Sequence, residues 1–393
     1  MSILQGLRVL DFGRYIAGPF CGALLGDLGA DVIRIEKVDG SEDRYTAPVT
    51  ADGQGSGFMA LNRNKRGMTL NPRKPGGQDI LRRLVARADV VIANLPPDTL
   101  ESMCLDYASL TAVKPDIILT TTTAFGVGGP YGDRVGFDGV AQAMSGNMHL
   151  TGYEDEPMRN YFPYVDYTTA SLNTVATLAA IIHRMKTGEG QHVQSCLLAS
   201  ALTVANGTLI EQAILDNNRI ATGNRGQTAA PIDVFQTTDG WILVQVVGNP
   251  LFERWAKLMG EPHWLTDPRY ATDEARGDNA QDISERMGRW TSGRSTAEAM
   301  AELAQARIPC GEVLTPAEAL VNDQVVARGF LEPTDYPGLA QGAPVARMPI
   351  DFSKADTDIR RRAPTLGEHT AEILGELGYD EAAIRGYRLR RVV

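Results

Sequence analysis

Asp166 is the residue whose neighbours most clearly suggest chemistry in this sequence. It lies in the segment Tyr161–Tyr167, which reads YFPYVDY, and an apolar run from Ala170 to Ile182 follows. An ionised carboxylate is unstable among aromatic and apolar side chains unless another group stabilises it. One interpretation is that Asp166 is the N-cap of a helix, whose first-turn amides and dipole would hold the anion. The other is a partly desolvated carboxylate that acts as a nucleophile or a base.

Basic residues near the predicted strand ends could bind phosphate groups. They are Arg14, Lys37, Arg63, Lys65, Arg66, Arg73 and Lys74. An arginine can bind a phosphate through two parallel hydrogen bonds, and a lysine supplies a point charge. A phosphate-binding rim next to a desolvated carboxylate indicates a phosphorylated carrier whose reactive end reaches Asp166.

Three other kinds of active site are poorly supported by the sequence. The five histidines are scattered and form no two-histidine helical pair, so we predict no metal site. No Gly-x-Ser-x-Gly nucleophile elbow is present, because the segment Met144–Gly146 lacks the first glycine. The glycines in 13–18 and 126–131 lack the Gly-x-Gly-x-x-Gly spacing of a dinucleotide site, which argues against a nicotinamide cofactor.

The composition is that of an ordinary soluble globular protein. The chain has 393 residues, 43% of them hydrophobic, and a formal net charge of -10. This acidic balance argues against nucleic-acid and anionic-membrane partners, although it is compatible with a local basic pocket. Four scattered cysteines and an N-terminus without a signal-peptide pattern predict a cytoplasmic protein with reduced thiols. No apolar run approaches the length of a membrane span.

The first third of the chain has the pattern of a βαβ unit. The predicted elements are a strand at Leu7–Phe12, a loop at Gly13–Pro19, a helix at Phe20–Leu28, a strand at Asp31–Glu36, a helix at Gly77–Arg87, and strands at Asp89–Asn94 and Asp116–Thr120. Strands separated by helices favour an α/β fold with a doubly wound parallel sheet. Ligands of such a sheet bind at the carboxyl ends of its strands.

The pattern changes at about Pro231. Residues Phe235–Val246 predict a β-hairpin with Asp239 and Gly240 at its turn, and helical segments follow. We therefore predict a large α/β domain over residues 1–228 and a smaller α+β domain over residues 229–327. A C-terminal segment, residues 328–393, is predicted to return to the large domain.

Several short motifs, taken together, resemble a known family. They are Gly6–Phe12 (GLRVLDF), Ala17–Pro19 (AGP), Leu28–Glu36 (LGADVIRIE), Asn64–Arg66 (NKR), Gly136–Asp138 (GFD) with Ala141–Gln142 and Ser145–Gly146, Thr187–Gln191 (TGEGQ) and Leu366–Thr370 (LGEHT). In order and spacing they resemble the class III CoA-transferases, the CaiB/BaiF family that includes formyl-CoA transferase and carnitine CoA-transferase. The resemblance spans essentially the whole chain.

The resemblance implies a Rossmann-like large domain, a small α+β domain and an interlocked homodimer. It implies an enzyme that moves CoA from an acyl-CoA donor to a carboxylic acid, with Asp166 as the nucleophile that forms an aspartyl-CoA thioester. The substrates would be an acyl-CoA and a small organic acid, with no tightly bound cofactor. The CoA contacts that the resemblance places on this sequence are Ile16, Ala17, Lys37, Leu70, Arg73, Asn94, Phe137 and Asp138.

The sequence departs from formyl-CoA transferases at three places. Ile16 replaces a glutamine of the first loop, and Ser102 replaces an arginine. A glycine-rich loop that covers the aspartyl intermediate is missing between Gln227 and Gly240. These differences, together with the aromatic approach Tyr161–Tyr164, favour an organic acid larger than formate or oxalate.

Two alternative functions remain open. The same fold occurs in α-methylacyl-CoA racemases, which move a proton between two faces of a carbon and therefore need two proton-carrying groups. That subfamily has a histidine where Phe137 stands, and a phenylalanine side chain carries no proton. A CoA-binding protein without catalysis is the third possibility, which the presence of Asp166 disfavours.

Overall fold

Short runs rich in valine, isoleucine and leucine form the inner strands of the fold. The computed structural model of the chain describes residues 2–393. Its strands are β1 (Arg8–Asp11), β2 (Asp31–Glu36), β3 (Lys65–Thr69), β4 (Val90–Ala93), β5 (Ile118–Thr123), β6 (Gly152–Tyr153), β7 (Glu156–Pro157), β8 (His192–Cys196), β9 (Ile232–Gln236), β10 (Trp241–Gln245), β11 (Cys310–Glu312), β12 (Leu331–Thr334) and β13 (Ala343–Ala346).

Helices connect most of these strands. They are α1 (Ala17–Asp27), α2 (Ser56–Leu61), α3 (Gly77–Val85), α4 (Pro97–Ser102), α5 (Tyr107–Val113), α6 (Asp138–Met144), α7 (Tyr164–Thr187), α8 (Leu197–Leu215), α9 (Asn249–Met259), α10 (Asp273–Asp278), α11 (Ala280–Thr291), α12 (Thr296–Gln305), α13 (Pro316–Val321), α14 (Asp323–Arg328), α15 (Thr370–Glu376) and α16 (Glu381–Leu389). Short 3-10 helices lie at Glu42–Tyr45, Pro262–Thr266 and Pro268–Tyr270.

A parallel sheet of six strands has the order β3-β2-β1-β4-β5-β8. The chain runs outward from β1 to β3, crosses to β4 on the other side of β1, and continues outward to β8. This is the strand order of a Rossmann-type sheet, in which ligands bind where the order reverses. The predicted parallel α/β sheet is confirmed, and its reversal point lies between β1 and β4.

Both faces of this sheet are buried because helices cover each of them. Successive residues of β1 point to opposite faces. Leu10 packs in a cluster that includes Leu84 of α3, whereas Val9 packs in a cluster that includes Leu25 of α1 and Ile181 of α7. Strands that are buried on both faces consist of continuous apolar residues, as in the VVIA sequence of β4.

Some elements of this sheet differ from the predictions. Helix α1 begins at Ala17 rather than at Phe20. Strands β3 and β8 were not predicted from the sequence. β3 begins with Lys65, a charged residue that is fully buried because it pairs with Asp11 of β1. The positive charge of Lys65, which is untypical of a buried strand, is therefore balanced by Asp11 in the folded protein.

The chain divides into two compact units. The first comprises the described residues up to Ser145 together with Asn160–Leu209 and Gln324–Val393, and it includes the parallel sheet. The second comprises Gly146–Arg159 and Ile210–Asp323. Residues 210–228, which the sequence placed in the large domain, group with the second unit. A bridge between Tyr153 of β6 and Thr222 joins these two stretches of the second unit.

The second unit contains an antiparallel sheet of order β11-β10-β9. Strands β9 and β10 form the predicted hairpin, with Asp239 and Gly240 in the turn between Gln236 and Trp241. The fully buried Trp255 of α9 lies in the apolar cluster of this unit. The predicted hairpin is confirmed, and helices α9 to α12 follow it in the chain.

Helix α8 differs from the prediction that no apolar run reaches membrane-spanning length. Within residues 2–393 it is the helix long and apolar enough to cross a membrane, by length and composition alone. Only 22% of its 18-residue apolar stretch is buried. Its exposed large apolar side chains are Leu202, Val204, Leu209, Ile210, Ile214 and Leu215. The same helix carries the polar residues Asn206, Glu211 and Gln212.

Candidate active site

Asp166 lies in the first turn of α7, which begins at Tyr164. The interpretation of Asp166 as an N-cap is therefore wrong: the N-cap position is Pro163, which makes no side-chain capping bond. Another carboxylate occupies the free amides of this helix start. Asp138 Oδ2 accepts hydrogen bonds from the backbone N–H groups of Val165, at 2.7 Å, and of Asp166, at 3.1 Å.

The carboxylate of Asp166 is half-buried and has no stabilising partner. Among residues 2–393, no side chain or backbone group donates a hydrogen bond or forms an ion pair to it, and the influences on its titration are burial and the charge of Asp138. Burial, reinforced by the negative charge of Asp138, raises the pKa of Asp166 to about 7. A carboxyl group with a pKa near neutrality is a candidate for covalent or acid-base chemistry.

A cleft of about 370 Å³ opens at the carboxyl ends of β1, β4 and β5, and Asp166 lines it. Its other lining residues are Arg14, Tyr15, Ala17, Asn94, Leu95, Pro96, Pro97, Asp98, Thr122, Thr123, Ala124, Gly132, Asp133, Arg134, Val135, Gly136, Phe137 and Leu197. We call this space the aspartate cleft. It lies at the reversal point of the sheet, where a parallel α/β fold binds its ligands.

A second cleft, of about 330 Å³, lies at the carboxyl ends of β2 and β3. Lys37, Leu70 and Arg73 line this space, which we call the basic cleft. Arg14 and Leu95 line both clefts, so the two spaces adjoin. An elongated ligand could therefore extend from the basic cleft to Asp166.

The structure places most of the sequence-predicted CoA contacts on these two clefts. Ala17, Asn94 and Phe137 line the aspartate cleft, and Lys37, Leu70 and Arg73 line the basic cleft. Two of the predicted contacts line neither cleft. Ile16 occupies the N-cap position of α1, and Asp138 is buried against the start of α7.

Two of the three cations that line the basic cleft, Lys37 and Arg73, already have partners on the protein surface. Lys37 Nζ pairs with Glu42, and both side chains are more than half exposed. Arg73 Nη2 donates a hydrogen bond of 2.6 Å to Ser102 Oγ. Ser102 is the residue at which the family resemblance expects an arginine. A phosphate that bound here would compete with weak, solvent-exposed contacts.

The predicted seven-residue basic rim is only partly present. Four of its members make internal contacts instead of facing a cleft. Lys65 pairs with Asp11, Arg63 with Asp27, Arg66 with Asp31, Glu372 and Glu376, and Lys74 donates to the carbonyl of Arg390. The remaining three, Arg14, Lys37 and Arg73, line the clefts, although Arg14 Nη1 also donates to the carbonyls of Phe12 and Gly13.

The loop between β1 and α1 is held by contacts that sequence reasoning missed. Arg14 N donates to Asn94 Oδ1 at 2.6 Å, and Asn94 Nδ2 donates to the Arg14 carbonyl at 2.8 Å. Gly13 and Gly18 touch each other, because a Cβ on Gly18 would lie 2.8 Å from Gly13 Cα. Asn94 therefore has a structural role in addition to lining the cleft.

A buried charged cluster supports this loop from below. Lys65 Nζ donates to Asp11 Oδ2 and to the Pro19 carbonyl, both at 2.7 Å. Asp11 Oδ1 accepts a hydrogen bond from the N–H of Gly13. Burial lowers the pKa of Lys65 to about 8, although the charge of Asp11 opposes this shift. The Lys65–Thr69 segment reads KRGMT and is buried throughout, so it has no apolar–polar alternation that would reveal this strand or its buried lysine from the sequence.

Comparison with known proteins identifies the family of this chain. The sequence profile of CoA-transferase family III matches residues 4–370. The chain belongs to this family. This CoA-transferase is 34% identical to succinate–glutarate CoA-transferase of Agrobacterium fabrum over 385 residues, which are 95% of each chain. It is 31% identical to succinyl-CoA–D-citramalate CoA-transferase of Chloroflexus aurantiacus, covering 99% of this chain and 98% of that one.

A solved structure has the same overall architecture as this CoA-transferase. A CaiB/BaiF family protein from Brucella suis superposes with a TM-score of 0.83 at 34% identity, covering 95% of this chain and 98% of that one. The family resemblance predicted from the sequence motifs is confirmed. The protein is an enzyme that transfers CoA between an acyl-CoA and a carboxylic acid.

Proposed function

We propose that this CoA-transferase moves CoA from a short dicarboxylic acyl-CoA, with succinyl-CoA as the first candidate, to a carboxylic acid through an aspartyl-CoA thioester on Asp166. The observation that carries the proposal is the half-buried, unpartnered Asp166 carboxylate in a cleft at the reversal point of the sheet. Both relatives described above have succinate or succinyl-CoA in their names. Arg14 and Arg134 line the same cleft and offer positive charge to a substrate that retains a second carboxylate.

The reaction divides into four displacements at carbonyl carbons. The Asp166 carboxylate attacks the donor thioester, the C–S bond breaks, and CoA thiolate leaves a mixed anhydride. The thiolate attacks the aspartyl carbonyl, which releases the donor acid and forms the aspartyl-CoA thioester. The acceptor carboxylate then attacks this thioester and expels the thiolate. Finally the thiolate attacks the acceptor carbonyl, which forms the new acyl-CoA and restores the Asp166 carboxylate.

Charge is conserved in each displacement, and none of them needs a proton. The residues of the site therefore have to bind, orient and exclude water rather than act as acids or bases. The nucleotide end of CoA would lie in the basic cleft near Lys37 and Arg73, and the thiol end near Asp166. No tightly bound cofactor is part of this proposal.

The racemase alternative is not favoured by the cleft. Phe137 lines it at the place where the racemase subfamily has a histidine, and its ring packs edge-on against Tyr15 at 5.4 Å between centroids. A racemase needs a second proton carrier beside the first. A CoA-binding protein without catalysis is disfavoured because binding alone does not require an unpartnered carboxyl group whose pKa is near 7.

The proposal includes a cytoplasmic homodimer, interlocked as in the family. Support comes from α7 and α8, whose large apolar side chains are widely exposed in the single chain. Such a surface is costly in water and is typical of an interface with another protein. A second copy of the chain would cover both helices, and no nucleic-acid or membrane partner is proposed.

Substitution of Asp166 tests the proposal directly. Asp166→Ala should abolish CoA exchange between succinyl-CoA and a panel of carboxylic acids, with the circular dichroism spectrum unchanged. Hydroxylamine added to the wild-type enzyme with acyl-CoA should convert the Asp166 adduct to a hydroxamate that mass spectrometry locates. Normal turnover by Asp166→Ala would refute the proposal. Deuterium incorporation at the α-carbon of a 2-methylacyl-CoA without any acceptor acid would favour the racemase alternative.

A further inference from the structure

A buried set of hydrogen bonds connects α6 to the start of α7. Asp138 Oδ2 accepts from the N–H groups of Val165 and Asp166. Asp138 Oδ1 accepts from Gln142 Nε2 on the next turn of α6. Gln142 Oε1 in turn accepts a 2.9 Å hydrogen bond from the N–H of Asn160. Asp138 and Gln142 are both buried, so this clamp fixes the backbone on both sides of the Tyr161–Tyr164 approach.

We propose that Asp138 is a positioning residue that fixes the backbone of Asp166 and, through its negative charge, favours the neutral covalent adducts of Asp166 over the free carboxylate. The inference rests on the proposed function, in which Asp166 is the nucleophile. Two neighbouring carboxylates repel each other while both are ionised. Conversion of Asp166 to an anhydride or thioester removes one of these charges and therefore relieves the repulsion.

The contacts of Asp138 distinguish this role from CoA binding. Both of its oxygens are occupied by groups of the protein, and it lines neither cleft. Other charged groups that line the aspartate cleft are Arg14, Asp98, Asp133 and Arg134, and the aromatic neighbours in the first turn of α7 are Tyr164 and Tyr167. Among charged side chains, Asp138 is the one that shifts the titration of Asp166. It also raises the pKa of Tyr164, in addition to the effect of burial.

The test is Asp138→Asn, which keeps the shape of the side chain and removes its charge. We expect the rate of adduct formation on Asp166 to fall at least tenfold at pH 9, where Asp166 is ionised in both proteins. Samples quenched rapidly with hydroxylamine at successive times measure this rate. The midpoint of the pH-rate profile should move to lower pH, because the repelling charge is gone. The Kd for CoA, measured by calorimetry, should stay within twofold of the wild-type value.

Asp106→Asn is the matched control. Asp106 also caps a helix, since its side chain accepts from Ser109 N at the start of α5, but it lies in neither cleft. This variant should leave the rate, the pH midpoint and the Kd unchanged. If Asp138→Asn does not fold, Gln142→Ala loosens the same clamp from its other end. That variant should slow adduct formation without weakening CoA binding.

Particular outcomes would overturn the inference. A tenfold weaker CoA affinity with an unchanged adduct rate would make Asp138 a CoA contact, as the family resemblance implied. A wild-type rate and pH midpoint in Asp138→Asn, or a wild-type rate in Gln142→Ala, would also refute it. Failure of the proposed function is a separate result, because the wild-type enzyme would then form no adduct on Asp166.

Discussion

At the scale of single residues, two carboxylates with different environments share one helix start. The Asp138 carboxylate accepts hydrogen bonds from the backbone amides of Val165 and Asp166, whereas the Asp166 carboxylate accepts none. Burial and the neighbouring charge then raise the pKa of Asp166 to about 7. A carboxylate that is poorly stabilised as an anion releases more free energy when it forms a neutral covalent adduct, so this environment suits a nucleophile.

The pH dependence of the reaction should report this pKa. Only ionised Asp166 can attack the thioester, and its fraction increases as the pH rises through the pKa. We therefore expect kcat/KM to increase about tenfold per pH unit below pH 7 and to level off above it. Initial rates between pH 5 and pH 9 check this. A flat profile, or one that falls as the pH rises through 7, would contradict the assignment.

The same pKa predicts a pH-dependent gain of stability in Asp166→Asn. The folded pKa, about 7, lies above the ordinary value of 3.8, so folding favours the protonated form. The contribution of Asp166 to wild-type stability should therefore fall as the pH rises from about 4 to about 7. At pH 8 the variant should be the more stable protein by at most about 4 kcal/mol, and at pH 4 the two should be similar. Urea unfolding at both pH values measures this, and an equal difference at both would exclude Asp166 as the source.

At the scale of elements, the parallel sheet brings residues that follow each of its six strands to the two clefts. The loop after β1 needs glycine at position 18, since an added Cβ would contact Gly13 Cα at 2.8 Å and Asn94 Oδ1 at 3.1 Å. Gly18→Ala should therefore shift this loop, destabilise the fold by about 1–3 kcal/mol and weaken CoA binding. Gly288→Ala is the control, because a Cβ there meets nothing within 4 Å. Equal melting temperatures and CoA affinities for the two variants would refute the close packing of this loop.

The basic cleft makes a separate prediction about CoA affinity. Lys37→Ala and Arg73→Ala should each raise the Kd for CoA about three- to thirtyfold, as expected for a partly exposed charge-assisted contact. The loss should be larger at low salt than at high salt because exposed charges are screened. Lys186→Ala, near the far end of α7, is the control. Unchanged affinity in both cleft variants would place the phosphates of CoA elsewhere.

The sequence predicted those elements whose local pattern agrees with their tertiary role. The βαβ unit from β1 to β2 and the hairpin of β9 and β10 have apolar runs and turn residues of this kind. β3 escaped prediction because the partner that permits Lys65 to be buried, Asp11, lies 54 positions away in the sequence. Likewise, nothing near Asp166 in the sequence shows that Asp138 occupies its helix amides, since the two are 28 positions apart. The family resemblance identified Asp166, but the contacts around it come from the fold.

At the scale of the whole molecule, the apolar surface of α7 and α8 predicts association. The wild-type chain should elute as a dimer in size-exclusion chromatography with light scattering. Ile214→Glu places a charge on an α8 residue that is 76% exposed, and it should shift the protein toward monomer at micromolar concentration. Leu389→Glu on α16, 86% exposed in the single chain, is the control. A monomeric wild type would contradict the proposed dimer.

The adjoining of the two clefts at Arg14 and Leu95 has a consequence for how faithfully the enzyme exchanges acids. In the proposed reaction the thiolate is released twice and must return twice. A nucleotide anchored in the neighbouring cleft would hold the thiolate beside the anhydride at a high effective molarity, which for well-oriented groups reaches about 10⁵ to 10⁸ M. Water, at roughly 55 M even in the bulk liquid, then competes poorly for the same carbonyl. Binding of the CoA nucleotide would thus limit hydrolysis of the anhydride. A truncated pantetheine thioester, which lacks the nucleotide, should therefore lose more product to water than an acyl-CoA does.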